Sequence, residues 1–315
     1  MSSTAPVILV LIDLNPVSLA KLESHYSIIQ GRTREDCLAV AADHAGSIRA
    51  VLTNGTTGLT GEVMAAFPNL SIVMAQGVGF EGIDVPAARA RGITVTHGPG
   101  TNGESVADHT MALMLAAMRD IPVSDAAVRA GKWRSGSTMR PIASGKRVGI
   151  LGLGDIGGRI AKRCEAFNMS VAYHNRRKLP DVGWTYVAST LELAEWSDVL
   201  ICVLPGGAAT RHLIGKAEMD ALGKDGFLVN VGRGSVVDTD ALISALSEHR
   251  LGGAALDVID GEPKVPDALC KLPNVVLTPH MAGRSPESVA ATIGLVIENL
   301  AAHFGGQPVL TPVPA

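Results

Sequence analysis

The stretch that most constrains this chain is Arg147-Val148-Gly149-Ile150-Leu151-Gly152-Leu153-Gly154-Asp155-Ile156-Gly157-Gly158-Arg159-Ile160-Ala161. A short apolar run ends in Gly152-x-Gly154-x-x-Gly157 and gives way to a helical pattern with Ile160 and Ala161 inward. Strand, tight turn and helix in that order form a dinucleotide site. Each glycine has its own task there. Gly152 makes the turn, Gly154 lets backbone approach a pyrophosphate, and Gly157 lets the helix pack on the strand, so the anion meets the free N–H groups of the helix start. A bare GxGxxG is weak; the flanking strand and helix give this one its weight.

The next strand, predicted over Met169–Tyr173, runs into His174-Asn175-Arg176-Arg177-Lys178. An NAD site places an Asp or Glu at this point, about twenty residues on, to bond the ribose 2'-hydroxyl. No carboxylate stands here. The guanidinium groups of Arg176 and Arg177 and the amide of Asn175 suit a 2'-phosphate, which a carboxylate would repel. The expected cofactor is therefore NADPH over NADH; a solvated basic turn that touches nothing is the alternative.

With 315 residues, 47% of them hydrophobic, the chain is long enough for two domains with substantial cores. Its net charge of -3 comes from interspersed signs with no basic tail or stripe, which argues against a nucleic-acid partner. Cys37, Cys164, Cys202 and Cys270 lack C-x-x-C spacing. They suit a reducing cytoplasm and argue against a disulfide framework or a metal site. Met1–Pro6 does not read as a signal peptide, and the longest apolar run, Met111–Met118, is too short for a bilayer. The expectation is a soluble cytoplasmic protein with no membrane partner.

Apolar runs at Val7–Ile12, Ala50–Thr53, Leu70–Ala75 and Ile93–Thr96 predict strands. Helical patterns at Pro16–Ser24, Glu35–Asp43, Gly61–Phe67 and Val85–Arg91 fall between them. This alternation implies a parallel sheet covered on both faces. Two strands end in Asn54-Gly55 and Gly77-Val78-Gly79, where backbone N–H groups can face a ligand beyond the carboxyl ends of the sheet, unless these are merely tight turns. Asn102–Met118 predicts a helix apolar around most of its circumference, which points to burial at a subunit or interdomain interface. Its Asp108 and His109 read as structural polar groups.

Further strands are predicted at Val199–Leu204, Phe227–Asn230, Ala254–Val258 and Val275–Leu277. The tail Pro286–Phe304 reads as a helix whose stripe of Ile293, Val296, Ile297 and Leu300 packs back on the first domain. The expected division is 1–98 with 286–315 as one flavodoxin-like domain, and 99–285 as the dinucleotide-binding one.

Taken in order, several motifs resemble those of the D-isomer-specific 2-hydroxyacid dehydrogenases. They are Gly77-Val78-Gly79-x-x-x-Ile83-Asp84, Val106-Ala107-Asp108, the glycine fingerprint, Asn230-x-Gly232-Arg233-Gly234, Asp257-Val258-x-x-x-Glu262-Pro263 and Thr278-Pro279-His280-x-Ala282-Gly283. Six motifs in one order cover nearly the whole chain. Leu204-Pro205-Gly206-Gly207-x-x-Thr210-Arg211-His212 and His174–Arg177 look most like the glyoxylate/hydroxypyruvate reductase branch, which is largely NADPH-dependent. The resemblance implies an α/β fold of two Rossmann-like domains with parallel doubly wound sheets, an active site in the interdomain cleft, and a homodimer formed through the Asn102–Arg119 helix.

It also implies a catalytic trio. Reduction of a 2-oxo acid needs a cation for the carboxylate, a proton donor for the carbonyl oxygen and a hydride for the carbonyl carbon. Arg233 is the candidate anchor because its planar fork grips a carboxylate. His280 is the candidate donor, since imidazole titrates near neutrality, and Glu262 its partner. Val78 and Gly79 are implied as backbone donors to the substrate, helped by Asn54 and Gly55. The implied cofactor contacts are Gly152, Gly154, Asp155, Ile156 and Gly157 of the fingerprint, then Leu204, Pro205, Thr210, Val231, Gly232, His280 and Gly283. Asp257 matches a position that binds the nicotinamide carboxamide, a buried structural aspartate being the alternative. Met139 and Arg140 sit in a loop, 133–145, that reaches the neighbouring subunit's active site in relatives. The expected activity is NADPH-dependent reduction of glyoxylate or hydroxypyruvate. The rivals are a reductase of bulkier acids, such as hydroxyphenylpyruvate or ketogluconate, and a dinucleotide-sensing binding protein without catalysis.

Overall fold

The computed structural model describes residues 6–31, 33–134 and 139–314. The chain falls into two compact units, one formed by Met1–Asn102 with Arg284–Ala315 and the other by Gly103–Gly283. The crossings lie at 102/103 and 283/284, where the sequence patterns suggested 98/99 and 285/286.

In the first unit the strands are β1 (Val7–Val10), β2 (Ser27–Gln30), β3 (Ile48–Asn54), β4 (Ile72–Gln76) and β5 (Thr94–Thr96). All neighbours pair in parallel, in the order β2-β1-β3-β4-β5, which is the flavodoxin-like doubly wound order. Alternate side chains go to opposite faces. Leu9, Val51 and Val73 join Met64 and Phe67 in one core, while Ile8, Val10, Leu52 and Met74 join Ile293, Val296 and Leu300 of the helix Pro286–Phe304 in the other. Each such side chain, when fully buried, contributes about 1.5–3 kcal/mol. The helix starts where the sequence says it should: Ser285 accepts from Ser288 N at 3.1 Å and Pro286 occupies the first turn, satisfying an orphan donor and removing another.

The second unit holds β6 (Arg147–Leu151), β7 (Ser170–His174), β8 (Thr185–Tyr186), β9 (Val199–Cys202), β10 (Phe227–Asn230), β11 (Gly253–Leu256) and β12 (Val275–Leu277). Their parallel order is β12-β11-β10-β9-β6-β7-β8, so the winding reverses between β6 and β9. Ligands of open α/β sheets bind beyond the carboxyl ends at such a reversal. The glycine turn after β6 and Leu204 after β9 lie at this point.

The Gly103–Met118 helix departs from expectation. Val106, Ala107, Met111, Leu113, Met114, Ala117 and Met118 all belong to the core of its own unit, packed against the helix Asp155–Ala166 and the β10–β12 half of the sheet. Its broad apolar girth is thus explained by a helix wedged between a sheet and another helix, without invoking a second subunit. Glu104 and Asp108 on its remaining face pair with Arg159 and Arg163 of the neighbouring helix. No helix among the described residues is long and apolar enough to cross a membrane.

Candidate active site

Two of the three fingerprint glycines stand where only glycine fits, and the third has open space beside it. Gly152 has φ +103°, and a Cβ there would lie 2.9 Å from the Val203 carbonyl oxygen. At Gly157 a Cβ would come within 2.3 Å of the Gly152 carbonyl oxygen, so the helix sits against the turn at a distance only glycine permits. Gly154 has open space at its Cβ position, and among the described residues no side chain caps the helix it begins. The first N–H groups of Asp155–Ala166 therefore face an open, uncapped cradle of the kind a pyrophosphate fills. The Asp155 carboxylate bends along the helix to Arg159 at 3.0 Å, and Ile156 packs on the unit's core. Gly157→Ala is expected to cost about 1–3 kcal/mol through overpacking and to weaken dinucleotide binding, whereas Gly154→Ala should leave the melting temperature near the native one. Thermal melts with and without NADPH check both.

At the end of β7 the Asn175 amide is engaged differently from the sequence expectation. Its Oδ1 accepts from Leu153 N at 2.7 Å and its Nδ2 donates to Leu153 O at 3.1 Å. Asn175 thus braces the glycine turn, because it directly follows β7 at the point where β6 and β7 end together, at Leu151 and His174. Arg176 and Arg177 are exposed, and among the described residues neither has an ion-pair partner. Beyond β9, Thr210 Oγ1 donates to Pro205 O at 2.8 Å, closing the Leu204–Arg211 loop. Gly232 is pressed against it, since a Cβ would lie 2.5 Å from Leu204 O, and Val231 is buried beside them. This chain's residues fit a nicotinamide dinucleotide along the carboxyl ends of β6, β7 and β9.

The catalytic candidates come from three adjacent strands. Arg233 follows β10, Glu262 follows β11 and His280 follows β12, so neighbouring loops bring them together. His280 Nδ1 donates to Glu262 Oε1 at 2.5 Å, leaving Nε2 for a substrate. Burial acts to raise the Glu262 pKa. It is outweighed by the hydrogen bond and charge of His280, the Ile259 N–H and the Arg233 charge, which together hold the carboxyl below its ordinary value. Arg233 is steered from beneath by Asn230, wholly buried, whose Nδ2 donates to Arg233 O at 3.0 Å while its Oδ1 accepts from Gly232 N at 3.1 Å. Gly234 next to it abuts Ile259, at 2.0 Å from a hypothetical Cβ, which draws the arginine loop onto the Glu262 loop. The role of Asn230 was not legible beforehand, although the Asn-x-Gly spacing is the signal that marks such a side-chain-braced turn.

Asp257 is placed otherwise than its nicotinamide assignment suggests. Its carboxylate accepts from Thr278 Oγ1 at 2.6 Å, Met281 N at 2.9 Å and Ala282 N at 2.9 Å. The buried aspartate fills the turn that carries His280, a residue in the left-handed region at φ +51°. Gly283 closes that turn.

In the first unit, Val78 and Gly79 follow β4. Among the described residues their N–H groups donate to no protein acceptor. Asn54 differs from expectation: its Oδ1 accepts from Thr56 N at 3.0 Å and Thr57 N at 2.6 Å, holding its own turn. Gly55 lies against Gly79, where a Cβ would be 2.7 Å from the Gly79 carbonyl carbon. In the 133–145 loop, Met139 is fully exposed and Arg140 pairs with Asp120 at 2.9 Å; residues 135–138 lie outside the described residues.

The sequence model for the D-isomer specific 2-hydroxyacid dehydrogenase, NAD binding domain, matches residues 111–282. The chain belongs to this family. It is 43% identical over 294 residues to glyoxylate/hydroxypyruvate reductase A of Arabidopsis thaliana, covering 93% of this chain and 94% of the relative. It is 42% identical over 312 residues to 2-ketogluconate reductase of Gluconobacter oxydans, covering 99% of each. Among solved structures, an NADPH-dependent glyoxylate/hydroxypyruvate reductase from Sinorhizobium meliloti, in complex with NADP and malonate, superposes with a TM-score of 0.90 at 40% identity, over 98% of this chain and 97% of that one. As a 2-hydroxyacid dehydrogenase the protein is an NAD(P)-dependent oxidoreductase acting on 2-oxo and 2-hydroxy acids, with two doubly wound Rossmann-like units. Relatives from the glyoxylate/hydroxypyruvate reductase branch are among those found, as the motifs led one to expect.

Proposed function

We propose that this protein reduces small 2-oxo acids, glyoxylate and hydroxypyruvate, with NADPH as the preferred donor, as a cytoplasmic homodimer. The observation that carries the reading is the His280–Glu262 pair at 2.5 Å with the Arg233 charge acting on the same carboxylate. Arg233 holds the substrate carboxylate and polarises the adjacent carbonyl. Glu262 takes Nδ1–H of His280, so that the ring faces substrate through Nε2 and gives its proton to the carbonyl oxygen. When bound, the reduced nicotinamide supplies the hydride to the carbonyl carbon. Val78 and Gly79 enter as backbone donors to the substrate, and Gly152–Gly157, Leu204, Thr210 and Gly232 as the dinucleotide's seat.

NADPH is favoured because Arg176 and Arg177 stand exposed and unmatched by a carboxylate at the end of β7. One experiment tests both halves: initial rates with NADPH and with NADH for glyoxylate, hydroxypyruvate, hydroxyphenylpyruvate and 2-ketogluconate, in the native protein and in Arg176→Ala. The expected native profile has a lower KM for NADPH and the higher kcat/KM for the two small acids. Arg176→Ala should raise the NADPH KM by about tenfold, one charge-assisted contact being worth about 1.5–3 kcal/mol, and leave the NADH KM alone. A native preference for NADH, or for the bulkier acids, refutes the corresponding half. The second reading, a reductase of bulkier acids, draws on 44% identity over 281 residues to hydroxyphenylpyruvate reductase of Plectranthus scutellarioides, covering 89% of each chain.

A further inference from the structure

From the turn around His280 we infer that Ser105 and His109 are positioning residues for the catalytic acid, acting as a two-point clamp from the Gly103–Met118 helix. This rests on the assignment of His280 as proton donor and extends it. Ser105 and His109 are four residues apart and so project from one face of their helix. Ser105 Oγ donates to Ala282 O at 2.7 Å. His109 Nε2 lies 3.0 Å from Thr278 Oγ1. The two contacts fall on either side of His280, two residues before it and two after.

The direction of each bond follows from its partners. Thr278 Oγ1 has one hydrogen, and the Asp257 carboxylate, 2.6 Å away and only 1% exposed, takes it. The same oxygen must therefore accept from His109, which fixes Nε2 as the protonated nitrogen of that ring. His109 Nε2 is also 3.5 Å from Asp257 Oδ1, so the ring supports the carboxylate directly as well. The chain His109–Thr278–Asp257 then ends on Met281 N and Ala282 N. His280 occupies left-handed backbone at φ +51°, which a non-glycine residue holds only where its surroundings impose it. Here the imposing groups are Asp257 from within the turn and the helix from outside it.

The consequence is kinetic. Loosening the turn should shift His280 Nε2 relative to the carbonyl oxygen, and a displacement of about 1 Å costs on the order of 10²-fold in a positioned reaction. A partial loss is expected from one clamp point. His109→Ala and Thr278→Val should each lower kcat by roughly tenfold with glyoxylate and NADPH. In the double variant the losses should add only in part, because the two residues share the link through Thr278 Oγ1. NADPH affinity should stay native, and the solvent deuterium isotope effect on kcat should rise as proton transfer becomes limiting. His109→Gln, which restores an N–H donor, should recover most of the lost kcat; Ser105→Ala should act independently of His109→Ala.

Native kcat and isotope effect in His109→Ala would overturn the inference, as would additive losses for His109 and Thr278. If His109→Ala does not fold, His109→Met against His109→Gln makes the same comparison at similar side-chain length, and equal kcat in the two again overturns it. His280→Ala separates the two levels of argument. A crippled His280→Ala beside a native His109→Ala removes the clamp alone, whereas native turnover in His280→Ala removes the donor assignment beneath it.

Discussion

His280→Ala is expected to lower kcat for glyoxylate by about 10²–10⁴-fold, the usual worth of a positioned general acid, with the NADPH dissociation constant unchanged. The split follows from where the residue sits. His280 is on the turn after β12, whereas the glycine turn and its basic flank follow β6 and β7 at the far side of the sheet reversal. Removing an imidazole there takes away a proton and leaves the glycine turn, Asn175 and the arginines as they were. Stopped-flow reduction with NADPH fluorescence as the binding readout measures both quantities in one protein. Undiminished turnover would reassign the acid.

The pH dependence has a definite sign. Glu262 has a folded-state pKa below its ordinary value, with burial opposing and the contacts to His280, Ile259 N–H and Arg233 prevailing. A depressed carboxyl contributes fully above the unfolded value and loses that contribution as pH falls through the folded one. Activity carried by the ionised pair should therefore persist as the pH drops through the ordinary glutamate range. It should fail only below that range, where Glu262 itself takes a proton. Glu262→Gln, which keeps an acceptor oxygen and loses the charge, should abolish this acid-side loss and leave a lower, flatter profile.

How much of this was legible beforehand depended on how deeply each element is buried. β10, buried throughout, and the Pro286–Phe304 helix, with its buried stripe, fall where the apolar pattern put them, because burial leaves the strongest signal; β12, a half-buried edge strand, was readable from its unbroken Val275-Val276-Leu277 run. β2 and β8 did not register. Both are edge strands: Ser27–Gln30 has only two half-buried apolar residues, and β8 is two residues long. The Ile121–Arg129 helix buries none of its residues, so no core-facing period announced it. In the site, the identity of the chemical groups was readable while their partners were not. Asn175 and Asp257 look like ligand-facing residues from their places at strand ends, yet each is engaged by backbone about twenty residues away in sequence, at Leu153 and at Met281 and Ala282. Only the register of parallel strands brings such pairs together, and register is a property of the sheet as a whole.

The other large effect belongs to Arg233. Arg233→Lys is expected to reduce kcat/KM for glyoxylate by roughly 10–100-fold, the equivalent of losing one charged hydrogen bond of about 1.5–3 kcal/mol. The charge is kept in this variant, so the electrostatic support that Arg233 gives Glu262 survives, and the loss reports the planar fork alone. An ammonium can meet one carboxylate oxygen but cannot span the carboxylate and the adjacent carbonyl together. Arg233→Ala removes charge and fork, and should lower kcat/KM further while moving the acid-side loss of activity to higher pH, since Glu262 would then protonate more readily. The loop itself should survive either change. Asn230, Gly232 and Gly234 shape it through contacts of their own, to which the guanidinium adds one hydrogen bond, from Nη1 to Gly232 O at 2.8 Å, so a melting temperature near the native one is expected alongside the kinetic defect. If Arg233→Lys raises KM and leaves kcat untouched, the guanidinium only anchors the acid. A fall in both means that it also strengthens its hold on the carbonyl oxygen as charge develops there, which is the distinction that decides whether Arg233 binds substrate or takes part in its reduction.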